Sequence, residues 1–267
     1  MTLPLKLTSF AAPRGDAQHP SGGAAGVAAG ATQTLAQILF SQGFGTRRHC
    51  AALIAQGRVL IGGITCVDPQ AKLPINDLVI DVQGQSWPVH AKALVLLHKP
   101  AGFECSTKPR HHPSVLTLLP APLRERGVQP VGRLDADTTG MLLLTDDGTL
   151  IHRLTSPKQH VSKVYEVTCK HALAGDSLAR LLAGVVLDDD PEPVRALACE
   201  ATGDCTLRMT LTEGRYHQVK RMVAAIGNRV EALHRSGIGG LTLDAALVPG
   251  QWRWLGTADR ERLIAPR

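Results

Sequence analysis

The segment Gly132–Gly140 holds the densest group of residues that could act in catalysis. Arg133 stands two positions before Asp135, and the segment leads directly into the apolar run Met141–Leu144. An arginine this close to an aspartate, in a loop that enters a buried strand, could keep the carboxylate ionised and aimed. Such a carboxylate can act as a nucleophile or a base. The alternative is a turn in which Asp and Thr side chains cap backbone groups.

A second candidate segment, Thr212–Met222, combines an apolar helical face with basic side chains. The apolar face is typical of a helix that packs inward. His217, Lys220 and Arg221 lie off that face, near the start of the helix, where they could contact phosphate groups. A solvated basic face is the alternative interpretation.

A third candidate is the short run Ser162–Val167. In a strand, Lys163 and Tyr165 point to the same face because side chains alternate. A tyrosine beside a basic site can stack on a base. It can equally be a core tyrosine whose hydroxyl is hydrogen-bonded.

The elements that must position these residues are mostly strands. Apolar runs between turn residues predict strands at Ala93–His98, Met141–Thr145, Val164–Cys169, Leu207–Leu211 and Leu241–Leu243. Helical spacing predicts helices at Thr149–Leu154, Ala174–Ala183 and Tyr216–Ile226. Strands outnumber helices without regular alternation, which favours an α+β fold with a mixed, largely antiparallel sheet. Lys108–Pro113 is an irregular, positively charged segment rich in Pro and His.

The chain divides into four parts. Residues 1–32, rich in Ala and Gly, are predicted to be a disordered tail because they cannot bury enough apolar surface. Residues 33–83 form a small module of two helices and a hairpin, in which Thr46 can cap the second helix. Residues 84–92 read as a linker, and residues 93–267 as the large domain. Such a linker would let the two domains move relative to each other.

Composition excludes several classes of protein. The 267 residues include 29 Lys+Arg and 23 Asp+Glu, a formal net charge of +6, which favours a polyanionic partner. No apolar run approaches the length of a membrane span. The six cysteines include no CxxC pair, so neither a disulfide scaffold nor a zinc site is expected. An aromatic content of 3% argues against an aromatic base-stacking platform.

Taken in order, the motifs of this chain resemble those of one family, the bacterial ribosomal RNA pseudouridine synthases of the RsuA type. The matching segments are Leu96–Gly102, Gly132–Asp147, Ser162–Val167, and Glu213–Met222 together with Ile238–Asp244. The resemblance extends from about Thr34 to the C terminus, and Thr34–Val67 resembles an S4 RNA-binding domain. It implies an S4-like α/β module followed by a pseudouridine synthase catalytic domain.

The resemblance also implies a reaction. The N1–C1′ bond of a uridine breaks, the uracil turns, and C5 joins C1′, with no cofactor and no metal. Asp135 would be the essential carboxylate, which either attacks C1′ or abstracts a sugar proton. Arg215 would pair with Asp135, and Tyr165 would lie against the uracil and serve in the proton step at C5. Arg133 would fill the gap left when the uridine leaves its stack.

Further side chains are implied to hold the RNA backbone: Lys163, His217, Lys220 and Arg221 in the catalytic domain, and Arg47 and Arg48 in the S4-like module. The sequence departs from the family pattern at two positions. Thr34 stands where a basic residue is usual, and Gly237 stands where Arg is frequent. Both departures concern the strength of RNA contacts and leave the catalytic residues intact.

The last motif contains Tyr216–Met222 in a form more similar to the small-subunit enzymes of the family. The expected substrate is therefore a uridine of 16S ribosomal RNA outside a duplex, in free RNA or in an assembling small-subunit particle. The same reaction on 23S ribosomal RNA is one alternative, and a non-catalytic RNA-binding assembly factor is another. We expect a cytoplasmic monomer with no membrane association.

A third alternative is the Asp-x-Asp-x-Thr motif of haloacid-dehalogenase phosphatases, which Asp135–Thr139 superficially resembles. In that family the first aspartate follows an apolar strand. Here the apolar strand comes after the motif, so the order is reversed.

Overall fold

The computed structural model describes residues 32–188 and 190–264. The predicted tail therefore lies outside the described residues, except for Thr32. Within those ranges, no helix is both long and apolar enough to span a bilayer.

The N-terminal module contains two helices and six short strands: β1 (Thr32–Thr34), α1 (Leu35–Ser41), α2 (Arg47–Ala55), β2 (Val59–Ile61), β3 (Ile64–Thr65), β4 (Lys72–Pro74), β5 (Val79–Val82) and β6 (Gln85–Pro88). Four strands form an antiparallel sheet in the order β3-β2-β5-β6, and β1 pairs with β4. Threonine side chains cap both helices. Thr34 accepts from the Gln37 amide at 3.3 Å, and Thr46, the predicted cap, accepts from the His49 amide at 3.2 Å.

The predicted linker at 84–92 is wrong for its first half, because residues 85–88 form β6. Trp87 of this strand is buried and packs edge-on against Phe44 and Trp254, with ring centroids 5.3 Å apart in both pairs. One continuous apolar core joins residues of the module to residues of β7 and β9. Because Trp87 is buried against aromatic side chains of both units, the module shares a core with the large domain and is not attached by a free linker.

Polar contacts reinforce the junction between the two units. The Arg126 guanidinium donates to the Gln42 side chain at 2.6 Å and to the Asp146 carboxylate at 2.8 Å. Gln42 also bonds both backbone groups of His90, at 3.1 Å each. Because Gln42 and the Arg126 side chain are almost fully buried, these bonds are shielded from water and fix how the module sits on the large domain.

The large domain contains the remaining elements: β7 (Leu94–Lys99), α3 (Ala121–Glu125), β8 (Gln129–Pro130), β9 (Thr139–Thr145), α4 (Gly148–Thr155), β10 (Lys163–Cys169), α5 (Ser177–Ala183), β11 (Val185–Leu187), β12 (Asp190–Val194), β13 (Ala198–Gly203), β14 (Thr206–Leu211), α6 (Gln218–Ala225), β15 (Val230–Ile238), β16 (Leu241–Thr242), β17 (Trp252–Trp254) and α7 (Thr257–Ile264). Short 3-10 turns occupy Val115–Leu118 and Pro157–Gln159.

Nine strands form one sheet whose main order is β13-β14-β10-β15-β9-β7-β17, with β16 on β15 and β8 on β9. All pairs in this sheet are antiparallel except β15 with β9. The predicted α+β fold with a mixed, largely antiparallel sheet is confirmed. The apolar runs of β7 and β9 are buried on both faces, as continuous hydrophobic strands at the centre of a sheet require.

Two boundaries differ from the sequence prediction in ways that matter for the site. Strand β7 extends to Lys99, which the sequence assigned to a turn. Helix α6 begins at Gln218, two residues later than predicted, because His217 has a φ of 48° and interrupts the helix there. The predicted inward face of α6 is confirmed by the burial of Val219, Met222 and Val223.

Candidate active site

Asp135 lies on the loop Gly132–Thr138 between β8 and β9, here called the aspartate loop. The ammonium group of Lys99 fixes the backbone of this loop by hydrogen bonds. It donates to four carbonyl oxygens, those of Pro100 (3.1 Å), Asp135 (3.0 Å), Ala136 (3.2 Å) and Thr138 (2.8 Å). Lys99 is fully buried, and burial lowers the pKa of its amine. The backbone around Asp135 is therefore organised by one cation from β7.

Beyond the aspartate loop, β9 runs parallel to β15, with Gly140 opposite Arg235. Gly140 has a φ of 108°, and a Cβ at this position would collide with the backbone of Arg235. Arg235 is only 3% exposed, and its Nε donates to the carbonyl oxygen of Met141 at 2.8 Å. Glycine thus permits the close approach that places Arg235 in the wall of the cleft.

The Asp135 carboxylate projects into this cleft and is about one-third exposed. Nε2 of His217 lies 3.2 Å from one carboxylate oxygen, and Nζ of Lys220 lies 3.0 Å from the other. Lys220 also contacts Asp137, at 2.8 Å. Although partial burial alone would lower the pKa of Lys220, its bonds to Asp137 and Asp135 raise it above the usual value. Lys220 is therefore a stable cationic partner for Asp135.

The predicted pair between Arg215 and Asp135 is not formed in this structure, where the ionic partners of Asp135 among the described residues are His217 and Lys220. Arg215 lines the same cleft, with Nε 3.3 Å from Glu213. The buried Gln218 side chain accepts from the Arg215 amide at 2.8 Å and donates to Glu213 at 2.9 Å. These bonds fix the turn before α6 in a conformation in which His217, and Lys220 of α6, reach Asp135.

Strand β10 supplies the wall formed by Lys163 and Tyr165, which line the cleft together as predicted. Tyr165 is 9% exposed, so most of its ring packs in the core. Lys163 donates to the carbonyl oxygen of Val161 at 2.9 Å. Burial, with a smaller contribution from the positive charge of Arg235, lowers the pKa of Lys163 to about 8.

The mouth of the cleft carries exposed side chains. Arg133 lies there with its side chain exposed. Tyr216 is 67% exposed and stacks on the His217 ring at a centroid distance of 3.8 Å. Arg221 donates to the carbonyl oxygen of Tyr216 at 3.0 Å, which links it to the same turn. An exposed aromatic ring thus lies next to the group that binds Asp135.

Two predicted RNA contacts lie outside the cleft. Arg47 and Arg48 are exposed on α2 of the N-terminal module. The Arg47 guanidinium lies over the exposed Phe40 ring, 4.9 Å from its centroid. These residues form a separate surface, which can contact only a different part of a long ligand.

Sequence reasoning did not single out Lys99, Arg235 or Gln218 as parts of the site. Each is a polar side chain that is at least 96% buried, which is rare for such residues unless most of their polar atoms have hydrogen-bond partners. Lys99 stands directly after an apolar run, and that position was a usable signal. Arg235 and Gln218 gave none, because their partners are distant in sequence or belong to a turn.

The arrangement provides a fixed carboxylate between a lysine and a histidine, a tyrosine in the wall and several cations around the opening. It can support nucleophilic or acid–base chemistry on a polyanionic ligand. The phosphatase alternative fits less well, because Asp135 precedes the long buried strand β9 and Asp137 is bound by Lys220.

Comparison with known proteins agrees with this geometry. Residues 93–225 match the family model described as RNA pseudouridylate synthase, and residues 33–79 match the S4 domain. Ribosomal small subunit pseudouridine synthase A of Escherichia coli K12 is 40% identical over 80% of this chain and 92% of its own length. The uncharacterized RNA pseudouridine synthase YtzG of Bacillus subtilis 168 is 34% identical over 87% of this chain and 99% of its own.

A solved structure shows the same relationship in three dimensions. The crystal structure of a pseudouridylate synthase matches with a TM-score of 0.62 at 34% identity, covering 86% of this chain and 99% of that one. Sequence and fold agree over both the N-terminal module and the large domain. The chain therefore belongs to the RNA pseudouridylate synthase family and carries an S4 domain ahead of its catalytic domain.

Proposed function

We propose that this enzyme converts a uridine of 16S ribosomal RNA into pseudouridine and that Asp135 is the reacting carboxylate. The observation that carries the assignment of Asp135 is its placement. Its loop is fixed by the buried Lys99, and both carboxylate oxygens have cleft-facing partners at 3.2 Å or less. A reacting group must be held in this way before the substrate arrives.

The reaction is an isomerisation, so atoms and electrons balance without a co-reactant. The N1–C1′ bond breaks, a C5–C1′ bond forms, and the hydrogen of C5 is exchanged for one at N1. Asp135 either attacks C1′ or removes a sugar proton to give a glycal, and both routes require an ionised carboxylate at the sugar. In both, the second step needs a group that handles the C5 proton.

Lys220 takes the pairing role that the sequence assigned to Arg215. Its amine contacts both Asp135 and Asp137, so it orients the carboxylate from the side of α6. His217 does the same from the turn before α6. Each carboxylate oxygen makes one of these contacts and has two lone pairs, so each keeps a lone pair with which to attack or to accept a proton.

The remaining cleft residues have roles that follow from their positions. Tyr165 in the wall lies against the uracil and is the candidate for the proton step at C5. Arg215, also in the wall, is a substrate contact beside Glu213. Arg133, exposed at the mouth, is placed to occupy the stack that the flipped uridine vacates.

RNA beyond the target nucleotide is held by positive charge. Lys163, Lys220 and Arg221 lie at or beside the cleft, and Arg47 and Arg48 lie on α2 of the S4 domain. Phosphate contacts of this kind fix position and orientation rather than read sequence. Because the S4 domain is packed onto the catalytic domain, the two surfaces have a fixed spacing along the RNA.

The substrate assignment to 16S ribosomal RNA is supported by the names of the relatives from Escherichia coli and Vibrio parahaemolyticus, which are small-subunit pseudouridine synthases 40% and 37% identical to this chain. The enzyme then acts in the cytoplasm, as a monomer, on free RNA or on an assembling small-subunit particle. The alternatives are 23S ribosomal RNA and a non-catalytic role in assembly.

Tritium release from RNA labelled at C5 of uridine tests the proposal directly, because rejoining through C5 expels that hydrogen. We expect release from 16S but not from 23S ribosomal RNA. The variant D135N should lower the rate by at least about a hundredfold, since a base or nucleophile is removed. The matched variant D137N removes a carboxylate two residues away and should retain most of the activity.

Three outcomes contradict parts of the proposal. Release from 23S ribosomal RNA alone would keep the chemistry and change the substrate. Equal losses in D135N and D137N would remove the special role of Asp135. No release from either RNA or from assembling subunits would leave the assembly-factor alternative.

A further inference from the structure

The loop Cys105–Pro113, here called the basic loop, carries four cationic or imidazole side chains: Lys108, Arg110, His111 and His112. All four are exposed. Within the described part of the chain, none of them forms an ion pair, unlike Arg126, Arg208 or Arg253. Unneutralised positive charge in a fixed position is a footprint of a polyanionic ligand.

Glu104 is the only acidic residue between positions 101 and 114, and its carboxylate is used to fold the loop. It accepts from three consecutive amides, those of Arg110 at 3.0 Å, His111 at 2.8 Å and His112 at 2.9 Å. These bonds lower the pKa of Glu104 from 4.5 to about 2. The negative charge is thereby turned inward toward the backbone, and the cationic side chains are left facing solvent.

Backbone bonds close the base of the basic loop. The Glu104 amide donates to Pro113 at 2.9 Å, and the Val115 amide donates to Glu104 at 2.9 Å. The Ser114 hydroxyl donates to the carbonyl oxygen of Ser106 across the loop. A loop with this many internal bonds presents its side chains in a defined arrangement, which lowers the entropy cost of binding.

The basic loop is rooted on the aspartate loop. The Gly102 amide donates to the carbonyl oxygen of Ala136 at 2.7 Å, and the Leu134 amide donates to Sγ of Cys105 at 3.4 Å. Both contacts involve residues next to Asp135. The base of the basic loop therefore lies against the aspartate loop, which lines the cleft that the uridine must enter.

We propose that the basic loop binds phosphate groups of the RNA strand that carries the target uridine. This proposal rests on the proposed function and extends it to a surface outside the cleft. Lys108 and Arg110 provide the charges, and the two histidines provide ring N–H donors. With no Phe, Tyr or Trp side chain in the loop, we expect its contacts to position the strand rather than to read its bases.

The test measures binding to in-vitro-transcribed 16S ribosomal RNA by filter retention from 50 to 200 mM salt, with tritium release in parallel. Each lost phosphate contact flattens the slope of log Kd against log salt by about 0.7–0.9. The double variant K108A/R110A should flatten it by about 1.4–1.8 and weaken binding about tenfold at low salt. The control K170A removes an exposed cation at the far end of β10, roughly 20 Å from Lys163, and should leave both quantities unchanged.

The variant E104Q distinguishes the effect of loop conformation on RNA binding from the effect of net charge. Loss of a negative charge near RNA would by itself tighten binding. Replacing one of the two acceptor oxygens by an NH2 group leaves at least the Arg110 amide or the two histidine amides without their acceptor, which should weaken binding by about threefold or more. Circular dichroism and the melting temperature check that the variant folds. Should E104Q fail that check, the surface variant K108A/R110A still decides the question.

Wild-type tritium release separates this proposal from the proposed function. If the wild type is inactive on all ribosomal RNA, the proposed function fails. If it is active and K108A/R110A binds RNA as K170A does, the basic-loop proposal is overturned. A defect seen only with assembling subunits, and not with free RNA, would assign the loop to a protein partner and also overturn it.

Discussion

The aspartate loop and the basic loop are adjacent, and they are held in similar ways by side chains of opposite charge. Each is a stretch of irregular backbone organised by one charged side chain. Lys99 donates to four carbonyl oxygens of the aspartate loop and the adjoining turn, whereas Glu104 accepts from three amides of the basic loop. Lys99 is fully buried, while Glu104 is in contact with solvent.

This difference in burial decides what each loop can do. Without Lys99, four carbonyl oxygens around Asp135 would each lose a donor at a buried point of the structure. Without Glu104, the amides of the basic loop can turn to water. A buried unsatisfied polar group costs about 1–3 kcal/mol, and an exposed one costs far less. The aspartate loop is therefore held rigidly enough to aim a reacting atom, whereas the basic loop tolerates the loss of its anchor more easily.

The largest effect is expected from K99M, which removes the buried anchor. We expect a loss of about 3 kcal/mol or more in the free energy of unfolding, because a buried cation is removed and four carbonyl oxygens each lose a hydrogen-bond donor. Activity should fall about a hundredfold even where the protein is folded, since a shift of Asp135 by about 1 Å is enough for that loss. Urea unfolding and tritium release measure the two effects.

The matched control is K92M, which alters an exposed lysine just ahead of β7. It should change stability by no more than about 0.5 kcal/mol. If K99M were as stable and as active as K92M, the aspartate loop would not depend on its buried cation, and the contrast with the basic loop would be lost.

An intermediate effect is expected from pH on Lys163, whose pKa burial lowers to about 8. Its amine is charged below that pH and neutral above it, so an RNA contact through its charge is present at pH 7 and lost as pH rises. We expect the Kd for 16S ribosomal RNA to increase by up to about tenfold between pH 7 and pH 9.

Two variants sharpen this prediction. K163R keeps its charge through this range and should show no such increase. K108A/R110A should bind more weakly at every pH but keep the increase, because the basic loop is outside the cleft. A wild-type Kd that stays constant from pH 7 to pH 9 would exclude Lys163 as a charged RNA contact.

The smallest effect is expected from acid on Glu104. Its pKa in the folded protein is about 2, below the ordinary 4.5. The bonds that it accepts are therefore fully present above pH 4.5 and are lost only as the pH falls toward 2. In NMR spectra, the amide shifts of Arg110, His111 and His112 should therefore show no transition centred near pH 4.5. A titration of these shifts with a midpoint near 4.5 would show that the carboxylate does not anchor the loop.

Local sequence determined much of the fold correctly. Apolar runs predict the strands β7, β9, β10 and β14 to within two residues, because a buried strand needs an uninterrupted or alternating apolar pattern. The cap at Thr46 is predictable because the amide that its side chain accepts from, that of His49, lies only three residues along the chain. The prediction of a linker was wrong here because Gln85–Pro88 pairs with β5 through backbone hydrogen bonds. The residue types of this short segment after Gly84 do not indicate that pairing.

The candidate site divides in the same way. The resemblance implies that Asp135, Arg215 and Tyr165 act on one uridine, and the structure places all three around one cleft. The partner of Asp135 was assigned to Arg215, but the left-handed conformation of His217 rotates the start of α6 and presents Lys220 instead. A single backbone angle of this kind is set by packing and cannot be read from residue types.

The sequence by itself determined the chemistry: which side chains are present, their spacing within each motif and the order of the motifs along the chain. The tertiary structure alone decided the contacts between motifs. Lys99 lies 36 residues from Asp135, and Lys220 lies 83 residues from Asp137. The first pair forms because β7 pairs with β9, and the second forms because α6 packs against the aspartate loop. Local patterns describe neighbours in sequence, whereas the electrostatics of the site depend on neighbours in space.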